Sequence, residues 1–293
     1  MVRITADFQQ ERVLHPAALP LLSEFFTKGW ADPNKLNNSS RQTAILLQQV
    51  RQTFANALNV RPDEIEFLGE VDLGFQLGIA GLLKPESKLY YSKIDRQKVY
   101  AVAANEQNLG RSTTCLSVNG DGEIADFTCD TNDVICWQVA NGESGNLQKV
   151  LKNQALTFAD CTASGVDHLP QFDYQTALFD SSSWQGPAGF GVLVIRSAEK
   201  WRNPLPHNDL SRTPGTFSIP LALASSVALE NYLKEGDIRS KLKQEIIAFI
   251  KSEITDVDIA STANGLAKFI SFSIKGIEAD RALLALEELG FAV

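Results

Sequence analysis

Three short stretches of the chain place groups capable of chemistry next to one another. Asp160-Cys161-Thr162-Ala163 sets a carboxylate beside a thiol at the end of an apolar run, and Ser181-Ser182-Ser183 puts three hydroxyls just ahead of Gly186-Pro187. Gly69-Glu70-Val71-Asp72 offers two carboxylates where a helical pattern begins. Arg96 and Asn141 add a guanidinium and a carboxamide. A pocket built from Arg96, Asp160, Glu70, Asp72 and Ser183 would suit a cationic or zwitterionic metabolite, or a metal held through its carboxylates. Each group also has a plain structural use: Asp160 caps a turn, Glu70 and Asp72 suit the positive end of a helix, and Arg96 stands on the surface. The familiar nucleophile pairings are not legible, because His15, His168 and His207 are scattered and lie near none of these stretches. Cys115, Cys129, Cys136 and Cys161 lack C-x-x-C spacing, so neither set reads as a zinc site and buried free thiols are expected.

The elements that must position these groups alternate in type. Residues 17–29 and 39–58 have helical apolar spacing, the second through Ile45, Leu46, Val50, Phe54 and Leu58. Ile65–Leu68 reads as a short strand and Leu73–Leu83 as a helix. Strands are then expected at Lys88–Ser92, Thr113–Val118, Val134–Val139, Leu156–Asp160, Thr176–Asp180 and Gly191–Arg196. Short apolar runs separated by longer polar or helical stretches predict an α/β fold, a mainly parallel sheet sandwiched by helices. A helix at Ile219–Lys234 leads to a small α+β unit, with helices at Ser240–Glu253 and Ala279–Leu289 and a strand at Phe269–Ile274. The expected organisation is an N-terminal arm at 1–16, a large α/β domain at 17–205, and a connecting helix with a reduced small domain at 206–293.

With 293 residues, 44% hydrophobic and 21% charged, the chain is ordinary for a globular protein that buries a large core. A net charge of -8 argues against non-specific nucleic-acid binding. No apolar run approaches the roughly 18–20 residues needed to span a bilayer. The first eight residues hold no apolar signal core, so the expectation is a cytoplasmic protein with no membrane or nucleic-acid partner.

Several strings, in order, resemble the cysteine desulfurases and their class V aminotransferase relatives. Residues 180–191, Asp-Ser-Ser-Ser-Trp-Gln-Gly-Pro-Ala-Gly-Phe-Gly, resemble the family loop S-A-H-K-F-x-G-P-K-G-x-G. Arg61–Phe67 is close to A-x-P-D-E-I-V-F, Val118–Ile124 to V-D-E-D-G-x-V, and Ala140–Gln148 to A-N-N-E-T-G-x-x-Q. Ala31–Asn34 resembles the family's G-N-P-S-S segment, and Phe269–Ser273 with Ala285–Val293 tracks a C-terminal strand and helix. The resemblance implies the fold of PLP-dependent transferases of fold type I and, for an intact member, a Schiff base between a lysine and pyridoxal phosphate (PLP).

At the family's functional positions the chain departs from the pattern. With Gly186-Pro187 as anchor, the lysine position is Ser183 and the histidine before it is Ser182. A hydroxyl cannot form an imine, so no catalytic residue is assigned and no cofactor is expected. The phosphate turn S-G-x-T-E becomes Gly69-Glu70-Val71-Asp72-Leu73, whose charges repel a phosphate. The ring-stacking histidine becomes Arg96, which either meets a ring or acidic ligand or is a surface residue. Asp160 is kept, while the glutamine of D-A-x-Q becomes Ala163. Asn141 keeps its place, Asp7–Arg12 replaces D-N-A-A-T-T, and Thr216 in Arg212–Thr216 marks either a surviving dimer contact or a plain loop. The family's S-x-G-S-A-C thiol loop would follow Val293, so a reduced small domain is expected. Cys161 is the thiol nearest the former pocket and is expected to be buried.

The reading that joins these departures is a non-catalytic binding or regulatory relative with a vestigial pocket of Asp160, Asn141, Arg96, Ser182, Ser183, Thr216, Glu70 and Asp72. Its expected partners are a second copy, an active desulfurase, or a sulfur-acceptor protein. The alternatives are an enzyme with a rebuilt pocket for a small metabolite, and a residual PLP-dependent aminotransferase or desulfurase.

Overall fold

In the computed structural model, the structure describes residues 13–152, 154–206, 217–235 and 238–291. Asp7–Arg12 and Arg212–Thr216, Thr216 included, lie outside the described residues, as does His207.

Two helices open the described chain. Leu19–Lys28 (α1) follows a 3-10 turn at Pro16–Ala18. Asn38–Leu58 (α2) begins where the Asn37 side chain accepts the Ser40 N–H, and ends at Asn59 in the left-handed region. Seven strands follow: Ile65–Leu68 (β1), Leu89–Ser92 (β2), Thr113–Leu116 (β3), Val134–Gln138 (β4), Leu156–Asp160 (β5), Thr176–Asp180 (β6) and Gly191–Ile195 (β7). Val71–Ala80 (α3) lies between β1 and β2, and Gln97–Asn108 (α4) between β2 and β3. The strands form one sheet in the order β1-β7-β6-β5-β4-β2-β3. β2, β3, β4, β5 and β6 pair in parallel, and β7 runs antiparallel to both β6 and β1.

Period-two alternation divides the core between the two faces of this sheet. Phe67, Ala177, Phe179, Val192 and Val194 pack toward α1, α2 and Ile219–Lys234 (α5). Leu68, Phe158, Leu178, Leu193 and Ile195 pack toward α3 and α4. Covered on both faces, the central strands are buried along nearly their whole length, which is why they read as continuous apolar runs. The expected α/β architecture is therefore the observed one.

The C-terminal part holds Ile238–Glu253 (α6), Val257–Ile259 (β8), Phe272–Ile274 (β9) and Ala279–Glu288 (α7), with β8 and β9 antiparallel. Four elements differ from expectation. β3 stops at Leu116 because Val118 leaves the sheet to bridge Ile124. The strand expected from Phe269 starts only at Phe272: the Phe269 N–H turns back to the Leu266 carbonyl, and the Ser271 N–H donates to Ser261 Oγ. α4 and β8 have no counterpart among the predicted elements. α4 buries mainly Val99, Val102 and Ala103, a weak apolar stripe among polar neighbours. Among the described residues no helix is long and apolar enough to cross a membrane.

Candidate functional site

Because β2, β4, β5 and β6 are parallel, the loops that leave their carboxyl ends gather at one edge of the sheet, the edge where open α/β folds place their sites. These loops carry Asp95 and Arg96, Asn141, Asp160, and Ser182 with Ser183. Glu70 and Asp72 stand where β1 passes into α3. Asp72 is linked to the same edge through Lys98 of α4, 2.8 Å away.

Asp160 is the anionic centre. It is buried, and its Oδ1 accepts from the Thr162 N–H at 2.9 Å and from Thr162 Oγ1 at 2.6 Å. Its Oδ2 lies 3.6 Å from Nε of Arg96, whose side chain is 44% exposed. Gly142 lies beside the guanidinium: a Cβ there would sit 2.8 Å from Arg96 Nη2, so the flexible end of the arginine would have to shift. Arg96 is thus neither a freely solvated surface group nor an empty-handed ligand arm. It is the ion partner of Asp160.

Asn141 is consumed by its own loop. Its Oδ1 accepts from the Glu143 and Ser144 N–H groups and from Ser144 Oγ, while Nδ2 donates to the Ile94 carbonyl and to Gln138 Oε1. Ser182 donates its N–H to Asp180 Oδ1, opening the 3-10 turn Ser181–Trp184. Ser183 is buried, and its Oγ donates to the Asp180 carbonyl at 2.7 Å. It lies against Gly165, whose φ of +54° and lack of Cβ both matter, since a Cβ there would come within 2.2 Å of Ser183 Oγ. Glu70 caps α3 by accepting the Asp72 N–H, and Asp72 pairs with Lys98, so this helix start is occupied by its own side chains.

Four participants were not singled out in the sequence. Asp95 is 92% removed from solvent, its relative exposure being 8%, and accepts the Ser92 N–H at 2.6 Å. Burial chiefly, helped by the charge of Asp160, pushes its carboxyl up to about 7 against the Ser92 N–H, which lowers it. Gln138, facing Asp160 across the β4–β5 register, donates to Asp95 Oδ1 at 3.3 Å. Gly142 was visible as the departure from A-N-N-E-T-G. Lys268, 85 residues from Ser183, had no local signal: its Nζ donates to the Ser183 carbonyl at 3.3 Å and lies 3.9 Å from Asp167 Oδ2. Cys161 is fully buried, and burial raises its thiol well above the usual range, as it does for Cys136. Among the described residues no group of His, Cys, Asp and Glu is arranged to hold a metal. A cleft of about 630 Å³ beside the Asp95 loop is lined by Lys93, Asp95, Tyr100, Asn141, Glu143 and Asp258, among others.

No family model matches the chain. Curated sequences do. A cysteine desulfurase (IscS) of Clostridium botulinum is 23% identical, over 98% of this chain and 80% of its own length. The IscS of Dictyoglomus turgidum is 23% identical over 98% of this chain and 79% of its own. A cysteine desulfurase of Trichormus azollae is 24% identical over 94% of this chain and 75% of its own. Among solved structures, a NifS-like protein superposes with a TM-score of 0.87 at 18% identity, covering 100% of this chain and 87% of that one. The apo cysteine desulfurase of Thermococcus onnurineus superposes with a TM-score of 0.80 at 15% identity, covering 98% of this chain and 83% of that one.

Proposed function

We propose that this chain, whose homologues are cysteine desulfurases and whose fold is that of NifS-like proteins, does not use pyridoxal phosphate and acts by binding another protein. The observation that carries this reading is Ser183. At the position where the family loop has its lysine stands a short, buried hydroxyl already bonded to the Asp180 carbonyl. An imine needs an amine, and the side chain at this position supplies none.

The other residues at this edge support the same reading. A bound PLP would place a phosphate at the start of α3, where Glu70 and Asp72 present carboxylates and the Asp72 N–H is already taken. It would need Asp160 for its ring nitrogen, yet Asp160 is paired with Arg96, the residue at the ring-stacking position. Ala163 has no side-chain polar group with which to meet the ring hydroxyl. These residues do not fit the cofactor. The desulfurase activity named for the homologues is accordingly not assigned to this chain. The role that remains is regulatory or structural, with a second copy of the chain, an active desulfurase, or a sulfur-acceptor protein as partner.

One observation favours a second reading. Lys268 brings an amine to the Ser183 carbonyl from another part of the chain, and a PLP-dependent enzyme with its lysine relocated would use it. Borohydride reduction in the presence of PLP, followed by peptide mass mapping, separates the two. The proposed reading expects the Lys268 peptide to be labelled no more than peptides carrying exposed lysines such as Lys28 and Lys241. Selective, stoichiometric labelling of Lys268 would establish the second reading and remove the first.

A further inference from the structure

α6 is apolar on two sides. On its inner side Lys243 is buried and donates to the Leu266 carbonyl at 3.0 Å, while Ile247 and Ile250 are half-buried, so this side fixes the helix to the C-terminal unit. On its outer side Leu242, Ile246 and Phe249 are 53%, 38% and 65% exposed. Steps of four and then three residues set these three in one row along the helix. A helix with a single apolar side is satisfied by the protein it packs on, whereas one that is apolar on two sides is suited to being covered on both. Among the described residues nothing covers the outer row.

The same spacing extends the row to Arg239 at the amino end and to Glu253 at the carboxyl end. In order, the row is basic, three times apolar, and acidic. Turned end for end, it is its own complement. An antiparallel second copy sets three apolar residues against three and brings the basic end of each row to the acidic end of the other, twice. The helix dipoles are opposed in the same arrangement, and a parallel copy would instead bring like charges together. We propose that this row on α6 is an interface between two copies of the chain, joined through antiparallel α6 helices about a two-fold axis. The inference rests on the reading that the chain acts by binding protein, and it deepens that reading by choosing the partner and the surface. The 16 residues of α6 span about 24 Å, so the interface is small and the dimer reversible.

The test is sedimentation velocity of the full chain over a series from about 1 to 200 µM, in which the wild type should pass reversibly from monomer to dimer. Ile246→Glu should raise the dissociation constant by at least about tenfold, because it buries an unpaired charge in the middle of the row. Phe249→Ser should also weaken the dimer. Leu109→Glu, at an exposed apolar residue after α4, should change nothing. Arg239→Glu and Glu253→Arg should each weaken association, and the double variant should restore it, since the two positions are too far apart along one helix to repair each other. A chain that stays monomeric throughout would overturn the proposal, including one that binds a purified cysteine desulfurase through α6 instead. So would a dimer indifferent to Ile246→Glu and Phe249→Ser, or a double variant no better than the single ones. These outcomes are separable from the PLP labelling. A dimer that ignores α6, with Lys268 unlabelled, removes this surface and leaves the proposed function standing. An α6-dependent dimer with Lys268 selectively labelled does the reverse.

Discussion

Burial raises the carboxyl of Asp95 in the folded chain, so it gives up its proton less readily than an exposed carboxyl group does. Its value of about 7, against an ordinary 3.8, means that the folded state binds the proton more tightly than the unfolded state between those two pH values. Its stabilising contribution is therefore complete below about pH 4, declines as pH rises, and is lost above about pH 7. Asp95→Asn keeps an acceptor for the Ser92 N–H and removes the titration. Its stability advantage over the wild type should grow by roughly 2 kcal/mol between pH 5 and pH 8, read from urea unfolding at each pH. Two adjacent residues on the Ser181–Trp184 turn separate packing from inherited chemistry. Trp184 is fully buried, packs at a tilt against Phe54 with ring centroids 5.8 Å apart, and donates to Ser225 Oγ at 3.1 Å. Trp184→Ala should cost about 3–5 kcal/mol in denaturant unfolding. Ser183→Ala removes one hydrogen bond and should cost only about 1 kcal/mol. Ser183→Lys supplies the missing amine but leaves Glu70, Asp72, Arg96 and Ala163 in place. It should produce no visible absorbance beyond that of free PLP and release no sulfide from cysteine, and a coloured, active single variant would contradict the account.

At the scale of elements, the loop from Asn141 to Asn146 acts as a fastener. Asn141 stabilises the loop itself, and the loop then fastens the C-terminal unit. Asn146 Nδ2 donates to the Ala260 carbonyl at 2.8 Å and its Oδ1 accepts the Thr262 N–H at 2.7 Å. Ser261 Oγ donates to the Ser144 carbonyl, and the Leu266 N–H to the Gly145 carbonyl. Asn146→Ala breaks two of these bonds and should speed amide hydrogen exchange across Val257–Ile274 while leaving β4 and β5 protected. Unchanged exchange there would show that the latch lies elsewhere. The elements that bury one full face were legible in the sequence. α2 and α5 carry long apolar stripes, and β5 and β6 are bounded by turn residues. The missed elements bury little of their own: β8 exposes Asp258 and half-buries its neighbours, and of its apolar residues α4 buries only Val99, Val102 and Ala103. Local propensity is weak where tertiary contact supplies most of the stability.

At the scale of the molecule, the α/β layering followed from alternation of short apolar runs with helices, and the likeness to desulfurases followed from strings at strand ends. The ion pair between Arg96 and Asp160 did not. Arg96 and Asp160 are 64 residues apart, and only the parallel sheet brings their loops together. Lys268 and Ser183 meet for the same kind of reason, through packing of the C-terminal unit on the sheet edge. A sequence shows which groups were exchanged and says little about what the new groups touch. The central claim, that a desulfurase fold persists here without its cofactor chemistry, is tested most directly by incubating the purified full-length chain with excess PLP, dialysing, and recording the visible spectrum. The account predicts a colourless protein with no retained PLP. A retained, stoichiometric visible band that disappears in Asp160→Ala would contradict it.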